Sequence, residues 1–200
     1  ASANTAIGHR SLQANTTAAN NTAIGFCSLS ANTTASANTA VGTNALKTTT
    51  TGAENTAVGV GVLDVNTGSY NTAMGVDAGG SNTSGTGNVF MGNASGGANT
   101  TANNNTAIGK DSLTTNTTGT FHASLGACSL LSNTTGTENT GIGGQALKCN
   151  TTGSQNTAVG YASLFTNTTG SSNVAVGCGA LFANTTGFDN AAIGRNAMAA

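Results

Sequence analysis

The chain contains no proline and no tryptophan, and only 6% of its 200 residues are charged, against a usual share of roughly 25%. With five Lys and Arg set against six Asp and Glu, it has no basic stripe to neutralise phosphates, which argues against nucleic acid as a partner. No run approaches the ~20 apolar residues of a membrane-spanning helix. The four cysteines include no Cys-x-x-Cys pair, so a thiolate metal centre is not expected. Disordered chains usually combine high net charge with few apolar positions. Here the net charge is −1 and 37% of residues are hydrophobic, and those residues recur at a fixed interval, so the composition reads as ordered.

What is present is one motif, copied. Asn156-Thr157-Ala158-Val159-Gly160 recurs in recognisable form from residues 4, 21, 38, 55, 71, 88, 105, 122, 139, 156, 173 and 190, giving ten intervals of 17 residues and one of 16. A short, undrifting period is the signature of a solenoid, whose rungs bury their apolar faces only against their neighbours. The expected fold is therefore all-β: a parallel β-solenoid (β-roll or β-helix) of about twelve 17-residue rungs, with residues 1–200 forming a single repeat array. Counted from the Asn, the chain opens at repeat position 15 and closes at position 11. This register leads us to expect a window on a longer fibre, or copies stacked end to end.

The consensus rung reads Asn-Thr-Ala-(Ile/Val)-Gly-x-x-(Ser/Ala)-Leu-x-x-Asn-Thr-Thr-Gly-x-x. Alternation in Thr-Ala-Ile-Gly predicts a short strand, with positions 2 and 4 on one side and positions 3 and 5 on the other. Stacking the rungs at ~4.8 Å gives a rod of roughly 55 Å. The large aliphatic at position 4 is the expected core ladder: Ile7, Ile24, Val41, Val58, Met74, Met91, Ile108, Leu125, Ile142, Val159, Val176 and Ile193. The Leu at position 9 is its companion. One such pair per rung makes a thin core, so stacked Asn and Thr hydrogen bonds are expected to share the load, as in cross-β arrays.

The small residues at positions 3 and 5 form a flat strip that either faces solvent or a tight bend, or meets sister chains. Phe90 interrupts it. Gly79 and Gly96 replace the position-9 Leu in the rungs starting at 71 and 88, and the short interval lies between Asn66 and Asn71. Phe90 shares a rung with Gly96, so its ring is a candidate to make up the lost volume.

At position 12, Asn15, Asn32, Asn82, Asn99, Asn116, Asn133, Asn150, Asn167 and Asn184 each open an Asn-x-Ser/Thr sequence. Each is a candidate glycosylation site. The same pattern is what a structural Asn ladder in a turn would leave. Asn20, Asn93 and Asn104 add three acceptors outside that column. Cys27 and Cys128 occupy position 7 six rungs apart, about 29 Å at strand spacing, so free or intermolecular thiols are expected. His122 replaces a position-1 Asn and reads as a substitute hydrogen-bonding side chain. Asp64, Asp77, Asp111 and Asp189 lack calcium-roll spacing, and Gly59-Val60-Gly61 is not followed by the Lys-Ser/Thr of a phosphate loop. No constellation points to an enzyme, and no metal or cofactor is expected.

The Asn-Thr-Ala-Ile-Gly, Ser/Ala-Leu and Asn-Thr-Thr-Gly elements resemble the repeats of bacterial and phage tail-fibre-like surface proteins. They are also similar to the shorter Asn-Ser-x-Ala-Ile-Gly head repeats of trimeric autotransporter adhesins. The period of 17 differs from about 14 in those heads, and Thr-Ala stands where they carry Ser-Val. The resemblance implies an extracellular fibre or adhesive shaft at a cell or virion surface, with copies of itself, as a trimer or filament, and surface glycans as partners. The residues leave two rivals. One is an ice-binding solenoid using Thr at positions 2, 13 and 14, although Val89, Ala123, Val174 and Ala191 interrupt position 2. The other is a receptor-binding adhesin or phage tail-fibre segment.

Overall fold

The computed structural model describes residues 3–200. Twelve three-residue strands, from β1 (Thr5–Ile7) to β12 (Ala191–Ile193), form one parallel sheet in strict sequence order. Each strand pairs one-to-one with the next: Thr5 with Thr22, Ala6 with Ala23, Ile7 with Ile24, and so on along the rod. Among the described residues there is no helix. The chain is a parallel β-solenoid, and each repeat position forms a column running its length.

Backbone ladders extend well beyond the strands. The position-9 N–H donates to the position-8 carbonyl of the following rung, as in Leu12 to Ser28 at 3.0 Å and Leu130 to Ala146 at 2.9 Å. The position-5 N–H donates back to position 4 of the preceding rung, as in Gly25 to Ile7 at 2.8 Å. Position 5 is Gly because φ lies between 127° and 137° there, and a Cβ on Gly8 would sit 2.8 Å from the carbonyl carbon of Gly25.

The interior is the reverse of the expected one. Column 3 points inward: Ala23, Ala40, Ala57, Ala73, Ala107, Ala158 and Ala175 are fully buried. The anticipated core ladder of Ile7, Ile24, Val41, Val58, Met74, Met91, Ile108, Leu125, Ile142, Val159, Val176 and Ile193 does stack in register, but on the outside, half-buried or exposed. The reason is space. A Cβ at Gly141, in column 3, would already lie 2.6 Å from Ser129 Oγ and 3.5 Å from Leu130 Cγ, so in that rung even a methyl group would force a shift and a larger side chain finds no space. The expectation for column 9 holds, since Leu29, Leu46, Leu63, Leu113, Leu130, Leu147 and Leu164 are fully buried.

The remaining interior is filled by two asparagine ladders. In column 1, the Asn Oδ1 accepts the backbone N–H of the column-1 residue one rung on, as Asn38 does from Asn55 at 2.9 Å. Its Nδ2 donates to the position-15 carbonyl of its own rung, as in Asn38 to Gly52 at 2.9 Å. In column 12, Nδ2 donates to that same class of carbonyl and to the preceding Asn: Asn150 reaches Gly153 at 2.9 Å and Asn133 Oδ1 at 2.9 Å. Both ladders thus satisfy polar groups that would otherwise be costly to bury. Thr49 stands in column 12 of the third rung and offers Asn32 Oδ1 no amide; Asn32 Oδ1 and, in the first rung, Asn15 Oδ1 are without partners.

Candidate contact surface

With Ala inside, the strand's outer face carries columns 2 and 4. Column 2 is Thr in eight rungs, with Val89, Ala123, Val174 and Ala191 in the others, while column 4 is aliphatic throughout. None of the eleven charged residues lies in either column. Even away from the ends the face stays open: Met74 is 50% exposed and Ile142 39%. One-to-one register makes this a single uncharged band of paired hydroxyl and aliphatic ranks. Taking ~4.8 Å per rung and ~3.3 Å per residue, it covers roughly 550 Å².

Its two borders differ. Column 6, just past the Gly corner, carries Lys110 and Arg195 as its only charges; column 17, just before the Asn, carries Glu54, Glu138 and Asp189. All five are exposed. Lys110 Nζ lies 3.5 Å from the Asp111 carboxylate, an exposed pair of the kind worth little. Column 7 turns away onto the next side of the rod. There Asp77 joins Asp64, Gly61, Gly80 and Ser81 around an open groove of about 290 Å³. The Asp64 carboxyl is held above the usual range by burial, an effect that Lys47 opposes and Asp77 reinforces.

The small-residue strip does not form a surface. Column 3 is interior, and column 5 glycines stack backbone on backbone, so neither offers a face to a sister chain. The glycosylation candidates are also internal. Asn32, Asn82, Asn99, Asn116, Asn133, Asn150 and Asn167 are fully buried, while Asn15 and Asn184 in the outer rungs are half-buried. Each donates Nδ2 to a position-15 carbonyl, as Asn15 does to Ala18 and Asn184 to Gly187. The folded rod has no room for a glycan on the buried amides. Asn20, Asn93 and Asn104, outside the column, are the exposed acceptors.

Phe90 is fully buried and does not protrude. Its ring occupies the space vacated by both column-9 glycines: a Cβ would meet it at 2.7 Å from Gly79, and one on Gly96 would lie against Cζ at 2.8 Å. His122 sits within the column-1 ladder. Nδ1 accepts the Asn139 backbone N–H at 3.2 Å, which leaves Nε2 protonated and donating to the Gly136 carbonyl at 2.8 Å. Burial pushes its pKa down to about 4, with the bond to the Gly136 carbonyl opposing the shift. Cys27 is buried, Cys128 and Cys149 half-buried, Cys178 exposed, and all four are free thiols.

Among the described residues, no group of three His, Cys, Asp or Glu side chains could hold a metal ion, and no helix is long and apolar enough to cross a membrane. Register stacking also pairs rings, Phe165 with Phe182 at 5.1 Å and His9 with Phe26 at 5.3 Å. Strand periodicity revealed that columns 2 and 4 share a face, but gave no sign of which face looked outward. The absence of charge from both columns was legible in the sequence. No protein-family model, curated protein or solved structure matches the chain.

Proposed function

We propose that this chain is a non-catalytic structural rod, a segment of an extracellular fibre or adhesive shaft, that associates with copies of itself. The observation that supports this reading is the outer sheet face: twelve in-register rungs presenting aliphatic side chains and no charge. An uncharged, half-aliphatic band of this size falls at the upper end of the patches that monomers expose, and such patches are often functional. Two copies meeting on it would bury roughly 1,100 Å² in total, just above the ~1,000 Å² that a specific interface needs. The contact therefore runs through columns 2 and 4, and the Ala/Gly strip takes no part. Sedimentation equilibrium at micromolar concentration tests the reading: dimers, trimers or filaments support it, and a chain that stays monomeric overturns it.

A second reading has its own observation. Thr5, Thr22, Thr39, Thr56 and Thr72 form an unbroken outward rank beside the aliphatic column, a rigid neutral array that could order water as an ice-binding surface. Thermal hysteresis in monomeric material supports this alternative; its absence removes it.

A further inference from the structure

We propose that the copies pair side by side in parallel, with rungs at matching heights, so that the column-6 border of one chain lies along the column-17 border of the next. This rests on the self-association proposed above and specifies its geometry.

Columns 6 and 17 stand three residues either side of column 3, the midline of the sheet face. A two-fold axis parallel to the rod, passing over that midline, keeps both chains pointing the same way and exchanges the two borders. An axis across the rod reverses one chain and lays each border against its own kind.

The borders carry opposite charge. Lys110 and Arg195 are the only ionised side chains of column 6, while Glu54, Glu138 and Asp189 are the only ones of column 17. Asp189 and Arg195 flank the same strand, β12 (Ala191–Ile193). Parallel pairing at matching height therefore sets Arg195 of each chain level with Asp189 of the other. Lys110 flanks β7 (Thr106–Ile108) and Glu138 flanks β9 (Thr140–Ile142), so that second pair lies two rungs apart, about 10 Å along the rod. Sliding one chain by a rung brings one Lys110 nearer its Glu138 and carries the symmetry-related pair equally far apart. The same slip separates both Arg195–Asp189 pairs. Matching height is thus the favoured register.

The neutral band supplies the buried area, and the borders supply orientation and register. Exposed ion pairs add little affinity, but juxtaposed like charges disfavour the wrong arrangement. Glu138 is already half-engaged, since Gln155 Nε2 donates to it at 3.2 Å, which holds the carboxylate at the border.

Zero-length carbodiimide coupling tests it, using an Arg195→Lys variant that places a reactive amine opposite Asp189. Chains labelled with ¹⁴N and ¹⁵N are mixed, coupled and read by mass spectrometry. Within one chain the two borders are roughly 20 Å apart across the strand, so an isopeptide between positions 195 and 189 can form only between chains. Parallel pairing predicts that mixed-isotope link. In the otherwise unaltered chain, Asp189→Arg should weaken association about fivefold, and adding Arg195→Asp should restore it. Oligomers that form without the mixed link, or an unrescued double variant that is folded by circular dichroism, overturn the parallel geometry while leaving self-association standing. A chain that is monomeric throughout overturns both.

Discussion

The ring of Phe90 lies where two leucines would otherwise be, against Gly79 at 2.7 Å from its would-be Cβ and against Gly96 in its own rung. Gly79 and Gly96 both have φ of 59°, close to the 47–54° of the column-9 leucines, so the backbone at both glycines already suits a leucine. Phe90→Ala alone should open a cavity costing about 3–5 kcal/mol. Gly96→Leu alone should clash with the ring. The double variant restores the repeat's own Ala-and-Leu arrangement in that rung and should recover most of the loss. Thermal melts of the three variants check this, and strict additivity of the two single effects would contradict it.

Thr49 interrupts the column-12 ladder and offers no amide to Asn32 Oδ1, which is unpaired. Thr49→Asn places an amide where neighbouring rungs have one. It should stabilise the rod by about 1 kcal/mol, read as a higher melting temperature, despite the loss of the Thr49 hydroxyl bond to Asn66.

His122 makes stability depend on pH in a definite window. Its folded pKa of about 4 lies below the ordinary 6.5, so between those values the unfolded chain binds the extra proton. Stability is therefore full above pH 6.5, falls as pH drops toward 4, and levels off below that. The total loss is roughly 3 kcal/mol. His122→Asn restores the column-1 amide, and the difference between wild type and variant should be flat above pH 6.5 and grow in that interval. Denaturant melts at stepped pH measure it.

The Asn-x-Ser/Thr column gives a fourth prediction. A glycan attached during synthesis at Asn99 or Asn133 would meet a side chain that the folded rung buries completely. Expression through a glycosylating secretory pathway should therefore yield modified, misfolded chains, whereas an unglycosylated preparation folds. Replacing the eight threonines and Ser84 that lie two residues after the nine column-12 asparagines by alanine should leave modification only at Asn20, Asn93 and Asn104, as peptide mapping would show.

These outcomes also show what the sequence could and could not disclose. Period and register were legible because identical residues recur every 17 positions, and stacking follows directly from that. The Leu column was legible for the same reason. The inside-out strand was not, because alternation defines two faces without assigning either to the core. The usual inference that Ile outranks Ala for burial failed because Asn, Ser and Leu already fill a narrow lumen. The left-handed corners at positions 7, 9 and 17 were also missed. Column 7 gave a partial signal in Asn44, Gly61, Asp77, Asp111, Gly179 and Asn196, residue types that tolerate that conformation. Column 9 gave almost none, since leucines such as Leu46 and Leu147 adopt it against their own preference.

Adjacent residues of one strand offer the most direct test of the whole account. Ala158 is fully buried and Val159, its neighbour, faces out. Ala158→Lys should force an unpaired charge into the lumen and unfold that part of the rod, at a cost of about 4 kcal/mol or more. Val159→Lys should leave the circular dichroism spectrum and melting temperature nearly unchanged while shifting sedimentation toward monomer. If Val159→Lys unfolds the chain and Ala158→Lys does not, the strand is the other way round and the contact surface described above does not exist.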